Sequence, residues 1–399
     1  MKRSLVLATA TLLTVGAVGL TSRHRTHRAW ASMAVRLDAM EAERLARPTG
    51  REALYGETTD GLAWDHYWRA LDAVEELDDL RERGFRATRP ENEAQRRDRD
   101  ALVAEAAEAL EHLRRGAHAR DAASSADFRQ GADMPIPKLV SSRTLANIAC
   151  AKLRMEAGQQ GELEALRAVL DAQQYARDMA CSPLVIEQFM GLSLLVPECI
   201  QHFVETRGHT LTDDAKRTWL SALDQLAATI PTESHALLDD VEQVGRSLQV
   251  DEERTSSWAA SISIVPGWRH GFSWRTTAAD YVDRGAEWAD DFMALQRRPR
   301  AEMYAALEEL MLAASRDSNP LVEIHFPTLQ SLVGGRLENL AELSFLRHAL
   351  ALQLGEEPCE FIDPYGNGVT VTHVDGVLRI ESPIPADPRR NMTIAFRVE

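Results

Sequence analysis

His235, Asp239 and Glu242 recur at i, i+4 and i+7, a spacing that sets three metal-capable side chains on one face of a helix. A second helix carrying Asp283, Glu287 and Asp291 would complete the ligand set, as in carboxylate-bridged bundles, and the chemistry would be metal-assisted hydrolysis. Neither stretch holds an E-x-x-H pair, the usual bundle signature. The simpler reading makes these residues solvated faces opposite the apolar stripes of Leu238, Val241, Val244 and of Trp288, Phe292, and no metal ligand is assigned. Asp213-Asp214 and Asp290-Asp291 are adjacent acids that point to different sides of a helix, so they suit an N-terminal dipole better than a paired general acid and base. His325, ahead of Phe326-Pro327, reads as a core histidine. Asp363 and Asn367 in D-P-Y-G-N-G fall short of the oxygen count calcium requires. No nucleophile elbow, zinc-protease, phosphate-loop or dinucleotide motif occurs, and no catalytic residue or cofactor is assigned.

The stretch from Thr255 to Trp274 offers chemistry of another kind. Arg269 is its one formally charged residue, and Trp258, Trp268 and Trp274 are gathered there with Phe272. Val265-Pro266-Gly267 interrupts it, so it is no single amphipathic helix. A buried crossing of the core is the bland expectation; a binding patch built on Trp258, Trp268 and Trp274 is the sharper one, because Trp and Arg dominate binding hot spots.

These residues need elements to hold them. The chain has 399 residues, 45% of them hydrophobic but only 6% aromatic, and is rich in Ala and Leu, which favours a mainly α fold. From Ala29 to about Leu354 apolar residues return at helical spacing, as in Trp64, Trp68, Leu71, Val74, Leu77, in Leu163, Leu166, Leu170, Met179, and in Leu340, Leu343, Leu346, Leu350, Leu354. Short links at Gly158-Gln-Gln-Gly161 and Cys181-Ser-Pro183 imply antiparallel helical hairpins in a bundle. Residues 145–180 are partly tetratricopeptide-like, with small alanines at close-approach positions, although no 34-residue period recurs elsewhere. Pro197 should kink or end the helix that contains it. After Gly355 the texture changes: Val369–Val374, Asp375-Gly376 and Val377–Glu381 have the form of a tight hairpin, and Met392, Ile394, Phe396, Val398 alternate with polar or small residues. The expected organisation is therefore an N-terminal signal anchor or signal peptide over 1–28, a helical domain over 29–355, and a small antiparallel β meander within 356–399.

Ser4–Thr21 is free of charge and follows Lys2 and Arg3, as an export signal or short span does. The nearest A-x-A, Ala29-Trp30-Ala31, lies beyond Arg23, Arg25 and Arg28, which favours an uncleaved anchor with the body exported to the periplasm or cell envelope. Without the five basic residues of the first 28 positions, 40 basic residues face 61 acidic ones. Such a body repels phosphate backbones and anionic headgroups, excluding nucleic acid and flat membrane adsorption. Four cysteines, Cys150, Cys181, Cys199 and Cys359, allow three pairings, and Cys150 and Cys199 fall in apolar helical stretches where free buried thiols are expected.

An apolar leader, an Ala-rich helical body, the turn Asp363-Pro-Tyr-Gly-Asn-Gly368 and a final strand containing Ile394-Ala-Phe-Arg-Val398 together resemble uncharacterised exported bacterial helical proteins whose tail is similar to that of type II pseudopilins. The pseudopilin Gly-Phe processing site is absent, so the resemblance implies an exported protein rather than a pilus subunit. The functional expectation is a membrane-anchored interaction protein that binds a protein partner, with no small-molecule ligand; the alternative is a helical-bundle enzyme, a metal-dependent hydrolase using His235, Asp239 and Glu242.

Overall fold

A computed structural model of the chain describes residues 25–397 except 78–79, 89–91, 136–137, 231–234, 255–273, 318, 320–321, 323–328, 358–360, 362, 364–367 and 384–390. The chain is mainly helical and ends in a small antiparallel sheet. Helix α1, over residues 25–45, buries Thr26, Met33, Leu37 and Met40 at helical spacing and leaves much of its remaining surface to solvent. A strap of irregular chain leads to β1 (Thr59–Leu62), and α2 (Ala63–Glu75), α3 (Leu80–Ala87), α4 (Glu93–Glu105) and α5 (Ala107–His118) follow before β2 (Ala119–Asp121) pairs with β1 in parallel. The sequence holds no periodic pattern for this pairing, because every residue of β1 is exposed. Backbone bonds carry it on into the strap, where the Arg51 N–H donates to the Arg120 carbonyl and the Ala122 N–H to the Thr49 carbonyl.

Helices α6 (Leu139–Glu156), α7 (Glu162–Ala180), α8 (Val185–Leu195), α9 (Glu198–Arg207) and α10 (Asp213–Thr229) follow on short links. Pro197 does not kink a helix; it separates α8 from α9, occupying the N-cap position of the second. Helix α7 packs on α5, α6, α8 and α10, so nearly all of its surface is buried and polar residues are carried inside with the apolar ones. Leu163, in its exposed first turn, stays 42% accessible and drops out of the expected stripe. The approach of α8 to α7 is closest at Gly191, where a Cβ would stand 2.3 Å from the Ala180 nitrogen and 2.5 Å from the Ala176 carbonyl oxygen.

Among the described residues α11 (Ala236–Arg254), α12 (Trp274–Gln296), α13 (Arg300–Ala314) and α14 (Leu329–Leu354) follow. Two apolar clusters result. The larger runs from Ala63 to Ile230 and takes in Ala341–Leu350; the smaller joins Met33, Leu37 and Met40 of α1 to α11, α12, α13 and to Val333 and Leu337. Helix α14 thus enters one core with its first half and the other with its second.

The C-terminal strands β3 (Thr370–Val374), β4 (Val377–Pro383) and β5 (Asn391–Arg397) form an antiparallel sheet in that order. Asp375 at φ 52° and Gly376 at φ 71° make the two-residue turn between β3 and β4, both central positions left-handed as a tight hairpin requires. The sheet has no core to itself: Leu378 and Ile380 are buried among the helices of the larger cluster, and β5 packs against α9 and α14. Among the described residues no helix is long and apolar enough to cross a membrane, and Ser4–Thr21 lies outside them.

Candidate functional site

His235 stands half-buried just before α11, and the two carboxylates that follow it on the helix, Asp239 and Glu242, are closed by Arg44 in the last turn of α1 and Arg47 just beyond it. Arg44 holds Glu242 through Nε and Nη2 at 2.9 and 3.1 Å, and Arg47 holds Asp239 through Nη1 and Nη2 at 2.7 and 2.8 Å. Arg246 returns the contact, donating to Asp38 at 2.6 Å and Glu41 at 2.8 Å. Both α11 carboxylates are only 1% exposed, so they do not form the solvated face that the spacing allows; they lie in a buried seam of charge-assisted pairs. Burial pushes the Asp239 carboxyl up to about 6 against the pull of Arg47. Asp283, Glu287 and Asp291 are exposed on α12, Asp283 lying 3.7 Å from Arg36. Helical spacing places residues on one face but does not say which neighbour covers it. Among the described residues no group of His, Cys, Asp and Glu is arranged to hold a metal ion.

The other candidates divide. Asp213 and Asp214 sit in the first turn of α10, whose cap Thr212 accepts from the Ala215 N–H, as helix-dipole acids should. Asp363 accepts from the Gly368 N–H at 2.7 Å, a local turn contact, while Asn367 and His325 lie outside the described residues. Trp258 and Trp268 also lie outside them; Trp274 begins α12, and its side chain is not described. Cys150 and Cys199 are buried free thiols, Cys181 is a free exposed one, and Cys359 lies outside the described residues.

A dense polar cluster is carried by residues that belong to no motif. Asp171, Gln174 and Asp178 form a stripe on α7 beneath the strap. Asp178 accepts from Arg51 Nε and Nη2 at 3.0 and 2.7 Å, from the Tyr67 hydroxyl at 2.7 Å, from Gln174 at 3.2 Å and from Arg177 at 3.0 Å. Arg51 spends its other N–H groups on the carbonyls of Gly116 and Ala117 and on Tyr67. Asp171 accepts from the Tyr55 hydroxyl at 2.7 Å, and the edge of the His118 ring stands against the Tyr55 ring at 4.7 Å. Burial pushes Asp171 up to about 7, the Tyr55 bond only partly opposing it. Among the described residues no arginine or lysine is hydrogen-bonded to Asp171, so burial favours its protonated form, whereas Asp178 is held by Arg51 and Arg177. The cluster fixes the strap to α5, α2 and α7. Its trace in the sequence is the pair of acids seven residues apart within an Ala- and Leu-rich helix, read without knowing that α7 is covered on all sides.

A cavity of about 230 Å³ opens between α6, α8 and the start of α9, lined by Thr88, Arg143, Asn147, Met190, Ser193 and Pro197 with Leu194, Glu198 and Cys199. Arg143 is exposed at its edge and has no ion pair or hydrogen bond among the described residues. The lining combines an apolar wall, Met190, Leu194 and Pro197, with a guanidinium, an amide and hydroxyls. No protein-family model matches the chain, and neither the curated proteins nor the solved structures contain a match to it.

Proposed function

We propose that the chain is a membrane-tethered, extracytoplasmic helical protein that binds a protein partner, and that the cavity beside Arg143 receives an anchor side chain of that partner. The observation that carries this reading is the cavity's size and lining. At about 230 Å³ it is smaller than the roughly 300–1,000 Å³ of sites that enclose a small-molecule ligand, yet it suits one side chain with an apolar stem and a polar head that meets Arg143 and Asn147. Three of the buried carboxylates, Glu242, Asp239 and Asp178, are held by Arg44, Arg47 and Arg51. Antiparallel hairpin packing of α6, α7 and α8, tetratricopeptide-like in its small residues, would present that cavity on a rigid surface. Ser4–Thr21 supplies the tether, and the acidic body keeps the domain off anionic lipid.

The test is a photo-crosslinking residue at Asn147 of the full chain in its native membrane. One discrete protein adduct is expected, and Ser193→Trp, which fills the cavity from an exposed position, should abolish it while leaving the fold intact by circular dichroism. An identical adduct pattern with and without the filled cavity would overturn the assignment.

A further inference from the structure

The cavity between α6, α8 and α9 gathers positive charge in a chain whose formal net charge is −16. Arg143 lines it with a guanidinium that meets no carboxylate and no hydrogen-bond acceptor among the described residues, and the half-buried amide of Asn147, one turn further along α6, is equally unmatched among them. Helix α9 opens onto the same space: Pro197, its N-cap, and Glu198 and Cys199, its first two residues, all belong to the lining. A proline ring has no atom that accepts from the first N–H groups of a helix, and the Cys199 N–H finds no acceptor among the described residues, so the positive end of the α9 dipole stands uncapped at the cavity. Glu198, the one acid in the lining, is exposed. Arg154 follows Asn147 by two turns on the same side of α6. It is 7% exposed, its Nε and Nη2 are buried without a partner, and the ring of Phe203, one turn beyond Cys199 on α9, lies 5.8 Å from its guanidinium. Unmatched guanidinium N–H groups in a low-dielectric interior are costly, and an anion brought close relieves that cost.

Resting on the partner reading above, we propose that the anchor received by this cavity is a carboxylate on a short apolar stem, a glutamate side chain or the C-terminal carboxyl of the partner protein. The planar fork of Arg143 matches two carboxylate oxygens, and the Asn147 amide and the α9 N-terminus supply further donors to the same head. Met190, Leu194 and Pro197 cover the stem. A phosphate, which carries no stem, leaves that wall uncovered; an amide head leaves the guanidinium charge unanswered, and a lysine head is repelled by it. Because the rest of the body is acidic, an acidic anchor is turned away elsewhere on the surface and favoured at this spot.

The experiment uses sodium pentanoate as the probe and its neutral isostere, pentanamide, as the control, with the purified full chain near neutral pH and binding read by saturation-transfer NMR of the probe. Pentanoate is expected to bind at least about tenfold more tightly than pentanamide, to lose about the same factor in Arg143→Met, and to be excluded by Ser193→Trp. Arg143 is exposed, so its replacement leaves the fold intact, which circular dichroism checks. Equal binding of acid and amide, or pentanoate affinity unchanged in Arg143→Met, overturns the carboxylate site. The source of the carboxylate is read separately, by adding pentanoate to the Asn147 photo-crosslinking reaction. Loss of the protein adduct with pentanoate but not with pentanamide is the expected result. An adduct that persists at saturating pentanoate overturns the acidic anchor while leaving a partner in place, whereas specific pentanoate binding with no protein adduct at all overturns the partner reading and assigns the site to a free carboxylic acid.

Discussion

Replacing Asp171 by asparagine swaps a carboxyl for an amide of the same shape and leaves an oxygen to accept from Tyr55. A rise from the ordinary 3.8 to about 7 for Asp171 corresponds to about 4 kcal/mol of opposition to the ionised form, an upper figure that hydration of the opened site would reduce to roughly 2–3 kcal/mol. The direction with pH follows from proton counting. Between about pH 4 and pH 7 the folded chain binds a proton at Asp171 that the unfolded chain has released, so stability falls as pH rises through that window and levels off above it. Asparagine carries no proton to lose. Asp171→Asn should therefore match the wild type near pH 4.5 and exceed it at pH 8, read as urea midpoints followed by far-UV circular dichroism with unchanged slope. A variant less stable than the wild type at pH 8 would refute the reasoning, since it would mean that ionised Asp171 is held by a cation, of which Arg114 exerts the larger pull and Lys152 the smaller.

Arg51→Met should destabilise by about 3–5 kcal/mol, because it strips the buried Asp178 of its main counter-charge and leaves the Gly116 and Ala117 carbonyls unmatched. Arg51→Met combined with Asp178→Asn should cost clearly less than the sum of the singles, a non-additivity that a double-mutant cycle reads directly. Gly191→Ala should lower stability by about 1–3 kcal/mol or more, since the new methyl meets the backbone of α7, which cannot move aside as a flexible side chain would; an unchanged melting temperature would show that α8 shifts freely.

What the sequence yields and withholds here has a physical pattern. Local rules are legible: Thr212 caps α10, Asp375-Gly376 turns the hairpin, Pro197 parts two helices, and Trp64, Leu71 and Val74 fill a core at helical spacing. Asp239 and Glu242 show the limit. Their shared face is legible, but Arg44 and Arg47 stand almost two hundred positions away, and no local rule pairs them. Asp171 and Asp178 are harder still, because a helix covered on every side buries polar and apolar residues alike and so presents no clean stripe. The pair β1 and β2 is held by backbone bonds that any sequence can make, and the cavity beside Arg143 exists only once α6, α8 and α9 have packed.

The seam between α1 and α11 also sets a timetable. Arg44 and Arg47 are separated from Glu242 and Asp239 by 198 and 192 positions. A ribosome moving at about 5–20 residues per second needs roughly 10–40 s to cover that span. Throughout it, α1 has left the tunnel with Met33, Leu37 and Met40 uncovered, because α11 and α12, which bury them, are still unmade. The larger core, built mostly from Ala63 to Ile230, can assemble in the meantime. Helix α1, made early, is thus among the last to find its place, and it is during that wait that a chaperone or a neighbouring nascent chain has its opportunity to bind it.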